Sequence, residues 1–406
     1  GAEAMLARRP EGVELVRAAG LGDDLVAPLT TSAQVYARHA RHPLPPRTMM
    51  GIPGDPATLA GLLEAAEIDR VAREPQTPPV ILDGDVAVGP LVRARFGDPV
   101  ADLLVDPLLG GVYAGRADAL SLEATVPALF RELSAGPTSL LRAVEALVDR
   151  GAHDPSAGPV FASLRGGLGR LPEALAGAGR FAVRTGTTVR QIERTAAGLR
   201  LVCGAVPAPE VIAADAVVVA TPAPKAARLL GGIVPAAAAA LGGIETASVA
   251  IVTLAYRDVD LPAGSGLLVA ATEGSAVKAV TLSTQKWPLE TGGTTVLRAS
   301  VGRAGEGPVL QREDRELVEL VRQDLRVLLG VDRTPIDTLV TRWGGALPQY
   351  AVGHVGRIAR ARGALAAAPA LAVCGAYLDG VGIPACIASA RVAAERVLAH
   401  LGAGGQ

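Results

Sequence analysis

The chain has 406 residues, of which 39 are basic and 40 are acidic, and its formal net charge is −1. This balance argues against the strongly basic surface of a nucleic-acid-binding protein, so we expect no nucleic-acid partner. Half of the residues are hydrophobic but only 3% are aromatic, which predicts a core of Ala, Val and Leu. A chain of this length exceeds one ordinary core and predicts two domains, or one domain with an insertion.

Cysteine usage and apolar patterns indicate the compartment. Cys203, Cys374 and Cys386 form no C-x-x-C pair, and so sparse and odd a number fits buried thiols in a reducing cytoplasm better than a disulfide framework. The longest apolar stretches, residues 229–244 and 363–378, are interrupted by Pro and Gly and fall short of the roughly 20 residues that cross a bilayer. We therefore expect a cytoplasmic protein without a transmembrane segment.

The first part of the chain alternates between helical and extended patterns. Residues 10–25 predict a helix that ends at Gly20 or Gly22, because glycine commonly stops a helix. Residues 35–47 are basic and proline-rich, which predicts a strand or hairpin. Helical spacing then returns in residues 56–68 and 92–109 and predicts a separate helical unit that leads to the segment GGVYAGRADALS.

A second region has the alternating pattern of an α/β fold. The segment FASLRGGLGRLPEAL, from residue 161, contains paired glycines and a proline suited to the first turn of a helix. TGTTVRQIER, from residue 185, predicts a strand. AADAVVVATPAPKAARLL, from residue 213, gives an apolar strand, a Thr-Pro turn and a helix, which is typical of a parallel strand buried on both faces.

The last part of the chain changes character and then returns to the α/β pattern. Residues 248–303 alternate and predict antiparallel strands, and residues 313–329 predict an amphipathic helix. A helix over residues 355–367, the strand LAVCG and a final helix from about Pro384 follow. This interleaving predicts a discontinuous nucleotide-binding domain into which a second domain is inserted.

The segment from LAVCG into the final helix has a pattern that suits a cofactor. Unpaired backbone N–H groups at a helix start stabilise an anionic or electron-rich ligand edge, such as the pyrimidine edge of a reduced flavin. Gly375, Gly380 and Gly382 allow a ligand to lie close to the main chain. Pro384 pre-sets the first helical turn. An ordinary βα connection has the same local pattern, so that alternative stays open.

Histidines give only a weak indication of a metal. His39 and His42 are close in sequence, but they have no Cys or carboxylate partners at ligand spacing. We therefore expect no metal site.

Five segments together resemble one protein family. They are LAVCGAYLDGVGIPACIASARVAAERVL, RWGGALPQYAVGH, FASLRGGLGRLPEAL, DPLLGGVYAG and GAEAMLARRPEG. With these segments the sequence resembles the protoporphyrinogen/coproporphyrinogen oxidase family of the FAD-containing amine oxidase superfamily, over essentially the whole chain. The closing motif, with Cys386 and Ser389, and the LPQY motif are specific to that family. The soluble bacterial branch is the one that the sequence resembles most.

The resemblance implies a fold of α/β plus α+β type. It consists of a discontinuous Rossmann-like FAD-binding domain, an inserted mixed-sheet substrate-binding domain and a helical subdomain. The expected ranges are residues 1–30, 160–235 and 343–402 for the FAD-binding domain, 31–50 and 236–342 for the substrate-binding domain, and 51–159 for the helical subdomain.

The family pattern also begins with a feature that the sequence lacks. Family members open with a strand, a G-x-G-x-x-G turn and a helix that bind the pyrophosphate, whereas Gly20 and Gly22 follow a helix. We therefore expect that an N-terminal βαβ unit of roughly 30 residues is absent. This expectation puts the binding of FAD by the chain in question.

The resemblance implies eight cofactor-binding residues. Val189 would meet the adenine through its backbone, and Ala220 and Thr221 would lie beside the dinucleotide. Val189 and Ala220 also fit ordinary core positions. Trp343 would pack near the flavin. The residues implied to hold the ribityl and ring portion are Gly375, Gly382, Ile383 and Pro384.

Fewer residues are implied for the tetrapyrrole. Gly111, in the GGVYAG loop, would lie against the substrate, with an ordinary turn as the alternative. Arg8, Arg9 and Arg47 lie in segments that flank the substrate site in this family, and guanidinium pairs well with propionate carboxylates. A solvated surface position is the alternative for each arginine. No catalytic side chain is implied, because the flavin supplies the chemistry.

The activity implied by the resemblance is the oxidation of coproporphyrinogen III to coproporphyrin III in haem biosynthesis. Hydride leaves a methylene bridge of the porphyrinogen for flavin N5, and dioxygen reoxidises the flavin with release of hydrogen peroxide. Hand-over of the product to a ferrochelatase is compatible with this role.

Three alternatives remain. Protoporphyrinogen IX, which has vinyl groups in place of propionates, is a second candidate substrate. An amine oxidase or carotenoid desaturase would have the same fold, but the LPQY and GVGIPACI motifs argue against both. From a different class, a non-enzymatic porphyrin-binding remnant is suggested by the absent dinucleotide motif.

Overall fold

The computed structural model divides the chain into two compact units. It describes residues 2–152, 158–196 and 198–404. The two units, which we call the large-sheet unit and the α/β unit, comprise residues 26–159 and 246–352, and residues 2–25, 160–245 and 353–406, respectively.

Helices occur in both units. In chain order they are α1 (Pro10–Ala18), α2 (Ala65–Arg73), α3 (Val88–Phe96), α4 (Asp98–Val100), α5 (Asp106–Tyr113), α6 (Leu122–Thr125), α7 (Pro127–Ser134), α8 (Leu140–Ala152), α9 (Arg170–Gly177), α10 (Ala223–Leu230), α11 (Pro235–Gly242), α12 (Ser283–Lys286), α13 (Asp314–Leu329), α14 (His354–Leu365) and α15 (Ile383–Gly404). A π-helical segment, Ala101–Val105, precedes α5.

The strands are short outside the large-sheet unit. They are β1 (Met5–Leu6), β2 (Leu25–Val26), β3 (Ala33–Ala37), β4 (Ala40–Pro43), β5 (Thr48–Met49), β6 (Ile52–Pro53), β7 (Phe161–Leu164), β8 (Val189–Thr195), β9 (Gly198–Cys203), β10 (Glu210–Ala214), β11 (Val217–Val219), β12 (Thr246–Tyr256), β13 (Gly266–Val269), β14 (Val277–Leu282), β15 (Thr295–Val301), β16 (Asp337–Pro348) and β17 (Leu371–Val373).

A seven-stranded sheet forms the centre of the large-sheet unit. Its strand order is β16-β12-β15-β14-β13-β3-β4, and its pairs are antiparallel except for β13 with β3. β12 and β15 pair antiparallel, with Ala250 opposite Val301 and Tyr256 opposite Thr295. The antiparallel strands predicted from the alternating sequence are therefore confirmed.

The two faces of this sheet differ in burial. α13 packs on one face, where Leu317, Val321 and Leu325 are fully buried beside strand residues such as Leu254. The amphipathic helix predicted for residues 313–329 is confirmed. Successive side chains of a strand point to opposite faces, and the residues that alternate with the buried ones are mostly only half-buried. The second face of the sheet is therefore partly open.

The predicted hairpin in residues 35–47 is confirmed by β3 and β4. Ala37 pairs with Ala40, and the two turn residues, Arg38 and His39, both have positive φ values, as a tight hairpin turn requires. The carboxylate of Glu273 accepts hydrogen bonds from both turn amides, at 2.8 and 3.1 Å. His39 therefore has a structural explanation that involves no metal.

Of the helical segments predicted for residues 56–68 and 92–109, the second is confirmed by α3 to α5, whereas in the first α2 begins only at Ala65. Gly51, in the turn between β5 and β6, approaches this region closely. It has a φ of +83°, and a Cβ atom at this position would lie 2.7 Å from the carbonyl oxygen of Leu104. This close approach requires glycine. The proposed boundaries of a helical subdomain at residues 51 and 159 stay predictions.

The α/β unit contains three small sheets. β1, β7 and β2 form one, and β8, β9 and β10 form an antiparallel meander. The third consists of β11 and β17, which are parallel. Side chains from β8, β11 and β17 share one apolar core with helices α10, α11 and α14, and this core includes Ile192, Val219, Leu241 and Leu371.

The strand predicted from AADAVVVATP is shorter and less buried than expected. β11 spans three residues, Val217–Val219, and its parallel pairing is confirmed. Val219 is 3% exposed, whereas Val218 is 37% exposed. The prediction that this strand is buried on both faces is therefore wrong, because on the face that Val218 presents α15 packs beside Ala216 and leaves Val218 partly exposed.

The first helix ends earlier than residue 25. α1 stops at Ala18, and Gly20 follows with a left-handed φ of +77°. The amide of Leu21 donates to the carbonyl of Val16 at 3.0 Å, which is the bond of a glycine-terminated helix. The interpretation of Gly20 as a helix stop is confirmed.

Replacement of Gly51 by alanine tests the close approach in the large-sheet unit. We expect a loss of about 2–4 kcal/mol of stability, because the clash with Leu104 adds to the cost of a left-handed backbone. Gly61→Ala is the matched control: Gly61 has a φ of +90° but nothing within 4 Å of its Cβ position, so only about 1–2 kcal/mol should be lost. Urea denaturation measures both, and equal losses would contradict the assignment.

Candidate functional site

The carboxyl ends of β11 and β17 lie side by side in the α/β unit. Val219 pairs with Val373, and the amide of Cys374 donates to the carbonyl of Val219 at 3.1 Å. Ligands bind outside the carboxyl ends of parallel strands in open α/β sheets. The residues that follow the two strands, Ala220 and Cys374, therefore mark a candidate ligand edge.

A buried hydroxyl group at this edge has no partner. Ala220 is exposed and Thr221 is half-buried. The Oγ1 atom of Thr221 is buried, and no atom in the described part of the chain forms a hydrogen bond with it. An unsatisfied buried hydroxyl costs about 1–3 kcal/mol. A ligand group that hydrogen-bonds with Thr221 would remove this cost.

The loop that joins β17 to α15 depends on glycine at two positions. Gly375 has a φ of +137° and Gly380 has a φ of +146°, values that L side chains rarely adopt. A Cβ atom on Gly380 would also lie 2.9 Å from the Cβ atom of Ala385. At these two positions the main chain that precedes α15 carries no side chain.

The first turn of α15 presents free backbone donors. Its first intrahelical bond runs from the amide of Cys386 to the carbonyl of Gly382, at 3.0 Å. Pro384 has no N–H group, so the amides of Ile383 and Ala385 are the first-turn donors without an intrahelical acceptor. These N–H groups carry partial positive charge and favour an electron-rich ligand edge.

Ser389 ties the loop to the helix. Its hydroxyl accepts a hydrogen bond from the amide of Gly375 at 3.1 Å and donates to the carbonyl of Cys386 at 2.8 Å. Ser389 is 6% exposed. One buried hydroxyl therefore fixes the start of the loop against the second turn of α15, which gives the Ser389 of the closing motif a structural role.

Two further sequence-predicted residues lie on the same unit. Val189 is partly buried and packs on the core that contains Val219 and Leu371, so its side chain is a packing residue and its backbone position stays a predicted adenine contact. Pro384 packs closely on α1, since a Cβ atom on Gly12 would lie 3.4 Å from its Cγ atom.

The large-sheet unit carries the other predicted residues, and Gly111 requires a correction. It lies inside α5 rather than in a loop or turn. The helix continues through the residues GGVY. It stops after Tyr113, where Ala114 adopts a left-handed φ of +51°. Gly111 is exposed, and a Cβ atom there would lie 3.3 Å from Leu268 Cδ2.

The arginine candidates differ in their partners. Arg47 lies 2.7 Å from Asp149 and 3.6 Å from Asp55, so its charge is already compensated. Arg9 is paired with Glu11. Arg8 is exposed, and no ion pair to it is found in the described part of the chain. Of the three, Arg8 is the arginine whose guanidinium is available.

Trp343 lies on β16, opposite Val249 of β12. Its side chain is 39% exposed. Together with Ser248 and Arg342 it lines a cavity of about 330 Å³ in the large-sheet unit. A role near a flavin stays a prediction for this residue.

Sequence reasoning missed two buried cations in the large-sheet unit. Lys278 on β14 is 5% exposed and Arg303 is 6% exposed. Burial and the nearby Arg303 lower the pKa of Lys278 to about 8. The sequence did contain a signal for Lys278, which is a lysine inside the apolar strand segment AVKAVTL. Lysine is almost never fully buried unless it is paired, so its position in an apolar strand is unusual.

The described residues contain neither a cluster of metal-ligating side chains nor a membrane-spanning helix. Among residues 2–152, 158–196 and 198–404, no group of three or more His, Cys, Asp or Glu side chains could hold a metal ion. No helix within these same ranges is both long and apolar enough to cross a bilayer.

Comparison with known proteins identifies the family. A family model described as flavin containing amine oxidoreductase matches residues 1–398. The chain belongs to the flavin-containing amine oxidoreductase family. The coproporphyrinogen III oxidase of Mycobacterium tuberculosis is 40% identical over 409 residues, which cover 99% of this chain and 86% of that protein. The resemblance seen in the sequence motifs is therefore confirmed.

Two further members are similar to this chain. The protoporphyrinogen oxidase of Bos taurus is 31% identical over 79% of this chain and 71% of that protein. A crystal structure from Exiguobacterium sp. 255-15, of a protein provisionally named a protoporphyrinogen oxidase, superimposes with a TM-score of 0.85 and 33% identity, covering 98% of this chain and 86% of that chain. The mixed α/β fold of flavin amine oxidases is thereby established for this chain.

The geometry of the α/β unit fits the flavin of this family. The Thr221 hydroxyl, which has no partner among the described residues, offers a hydrogen bond, and the first turn of α15 offers amides. The glycines of the β17–α15 loop carry no side chain that would separate a ligand from the main chain. Burial raises the pKa of the Cys374 and Cys386 thiols, so neither is an activated nucleophile. The site is therefore suited to holding a cofactor rather than to covalent catalysis by cysteine.

His354 links the start of α14 to the same loop. It is 3% exposed and forms hydrogen bonds with the backbone of Tyr377 and Leu378. Burial lowers the pKa of His354, so the folded protein binds this proton less well than the unfolded chain, whose histidine pKa is about 6.5.

The pH dependence of stability tests this arrangement. As pH falls below about 6.5, the unfolded chain gains a proton that the folded protein resists, so stability should decrease. His354→Gln should unfold with a smaller decrease in Tm between pH 7 and pH 5 than the parent protein. Thermal unfolding followed by circular dichroism measures the difference, and parallel curves for the two proteins would contradict the prediction.

Proposed function

We propose that this protein is an FAD-dependent oxidase that converts coproporphyrinogen III to coproporphyrin III with release of hydrogen peroxide. The observation that carries the proposal is the 40% identity, over 99% of the chain, with the coproporphyrinogen III oxidase of Mycobacterium tuberculosis. A bound flavin supplies the redox chemistry, because it accepts electrons from the porphyrinogen and returns them to dioxygen.

We propose that FAD binds in the α/β unit. Thr221 would donate a hydrogen bond to the dinucleotide beside Ala220, and the backbone of Val189 would contact the adenine. Gly375 and Gly382 would let the ribityl and ring portion approach the main chain. The amide of Ile383 would stabilise negative charge on the ring edge, and Pro384 would keep the first turn rigid. Trp343 is proposed as a packing residue for the flavin.

The domain assignment follows from the same proposal. We propose residues 1–30, 160–235 and 343–402 as the FAD-binding domain, residues 31–50 and 236–342 as the substrate-binding domain, and residues 51–159 as the helical subdomain. A cytoplasmic location and a hand-over of the product to a ferrochelatase stay predictions.

Substrate binding would involve Gly111 and an arginine. The exposed Gly111, which carries no side chain, suits contact with a tetrapyrrole. Arg8 is the stronger candidate for a propionate, because Arg47 would first have to leave Asp149 and Asp55. Replacing an existing ion pair by a new one gains little free energy at an exposed site.

Protoporphyrinogen IX oxidation is the second candidate function. It is favoured by the 31% identity with the bovine protoporphyrinogen oxidase. The two substrates differ where propionates replace vinyl groups, so they differ in negative charge. The purified flavin-loaded protein should form fluorescent porphyrin faster from coproporphyrinogen III than from protoporphyrinogen IX. A preference for the latter would support the second function, and no oxidation of either above autoxidation would refute both.

A Thr221 variant tests the cofactor site without an activity assay. Thr221→Val keeps the shape but removes the unsatisfied hydroxyl, so the flavin-free protein should be as stable as the parent or slightly more stable. Its affinity for FAD should fall by about 5- to 10-fold, since a typical hydrogen bond contributes roughly 1 kcal/mol. Fluorescence titration with FAD measures the affinity. Thr221→Ser, which keeps the hydroxyl, should bind like the parent; equal affinities in all three proteins would contradict the assignment.

A further inference from the structure

The last turn of α5 is held by donors from three other segments of the large-sheet unit. The last carbonyl groups of any helix lack intrahelical donors. α5 ends at Tyr113, and the residue that follows it, Ala114, is fully buried. The carbonyls concerned are those of Tyr113 and Ala114, and that of Gly110, which also accepts the amide of Ala114 at 2.9 Å. Gly111 lies between them, so whatever fixes these carbonyls also fixes the surface that Gly111 presents.

The LPQY motif supplies one of these donors. Gln349 Nε2 donates to the carbonyl of Tyr113 at 2.8 Å and to that of Leu347 at 3.2 Å. Gly115 makes this approach possible, because a Cβ atom there would lie 2.4 Å from Gln349 Oε1. The side-chain amide of Gln349 therefore packs directly against the main chain of Gly115.

Tyr350, the last residue of the motif, contacts the same region. Its ring centroid lies 5.4 Å from that of Tyr113. Its carbonyl accepts a hydrogen bond from the amide of Ser121 at 2.8 Å. Gln349 and Tyr350 thus attach the motif to both ends of the segment that follows Gly111.

Lys278 supplies the second donor. Its Nζ atom donates to the carbonyl of Gly110 at 3.2 Å. The β14–β15 pairing is irregular between Val277 and Ala279, and such a bulge can redirect a side chain. A cation at the C-terminal end of a helix is stabilised by the helix dipole. The backbone amide of Ala304 supplies the third donor, to the carbonyl of Ala114 at 2.7 Å.

The charges around Lys278 leave it poorly compensated. Arg303 contacts Glu306 at 3.4 Å, and Arg116 lies 3.3 Å from both Asp106 and Glu306. No carboxylate pairs directly with Lys278 among the ion pairs of the described residues. Three cations therefore share two carboxylates, and a buried charge of this kind is costly. The hydrogen bond from Lys278 to the carbonyl of Gly110 offsets part of this cost.

We propose that Gln349 and Lys278 are positioning residues that fix the last turn of α5 so that Gly111 meets the tetrapyrrole in one defined orientation. This inference rests on the proposed function. Neither residue contacts the substrate in this proposal; each acts through a carbonyl group of α5. Loss of either donor should loosen the turn and weaken substrate binding, while FAD binding in the α/β unit is unchanged.

The decisive experiment compares two pairs of variants in the flavin-loaded protein. Lys278→Met and Gln349→Leu remove the donors at similar volume, whereas Lys278→Arg and Gln349→Asn keep a donor. The first pair should raise the KM for coproporphyrinogen by about 5- to 10-fold, the effect of one lost hydrogen bond, with kcat within about 2-fold. The second pair should recover part of the affinity.

The outcomes are distinct. Unchanged KM values in Lys278→Met and Gln349→Leu, or an equal fall of kcat alone, would overturn the positioning role. If the first pair does not fold, the pH profiles of the parent protein and of Lys278→Arg decide: a rise of KM above about pH 8 in the parent alone supports the proposal, and no rise in the parent overturns it.

Hydrogen exchange separates this inference from the proposed function. The amide of Ala114 donates to the carbonyl of Gly110, so its exchange reports on the turn whether or not the substrate is correct. Faster exchange in Lys278→Met supports the positioning role of Lys278, and unchanged exchange overturns it. Failure of the parent protein to oxidise any porphyrinogen would instead refute the proposed function.

The pH profile provides a second readout that a purely structural residue would not change. With a pKa of about 8, Lys278 should lose its charge above that pH and donate more weakly, so the parent's KM should rise there. The charged groups around it are Arg303, Glu306, Arg116 and Asp106. Lys278→Arg stays charged and should show no such rise; an identical rise in both proteins would overturn the role of Lys278.

Discussion

The α/β unit depends on one constraint. The main chain must turn directly from β17 into α15, and the loop must carry no side chains where a ligand would approach. Gly375 and Gly380 adopt backbone angles that side chains resist, and the buried Ser389 hydroxyl holds the turn in place. Because β17 pairs with β11, Thr221, which follows β11, lies at the same sheet edge. The features proposed for cofactor binding therefore depend on a single strand–loop–helix connection.

Local patterns predicted the elements whose causes are local. The alternation in β12 and β15, the apolar stripe of α13 and the glycine stop after α1 all follow from periodicity and backbone preference. The same reasoning located the β17–α15 connection. The family was recognised from motifs, and the residues assigned to FAD come from that recognition rather than from periodicity.

The sequence did not reveal features that depend on distant contacts. Gly111 reads as part of a loop because of its glycine-rich surroundings, yet helix geometry continues to Tyr113. The exposure of Val218 depends on which elements cover β11, which an apolar run does not encode. The contacts of Lys278 and Gln349 with α5 join residues separated by 168 and 236 positions. Such pairs become visible only in three dimensions.

The two cysteines nearest the cofactor edge have a consequence for the durability of the enzyme. An oxidase that releases hydrogen peroxide exposes its own side chains to that oxidant at each turnover. Peroxide attacks thiolates rather than protonated thiols, and burial keeps Cys374 and Cys386 protonated by raising the pKa of each. Packing in the β17–α15 connection would therefore protect these two thiols from the peroxide that the proposed reaction releases.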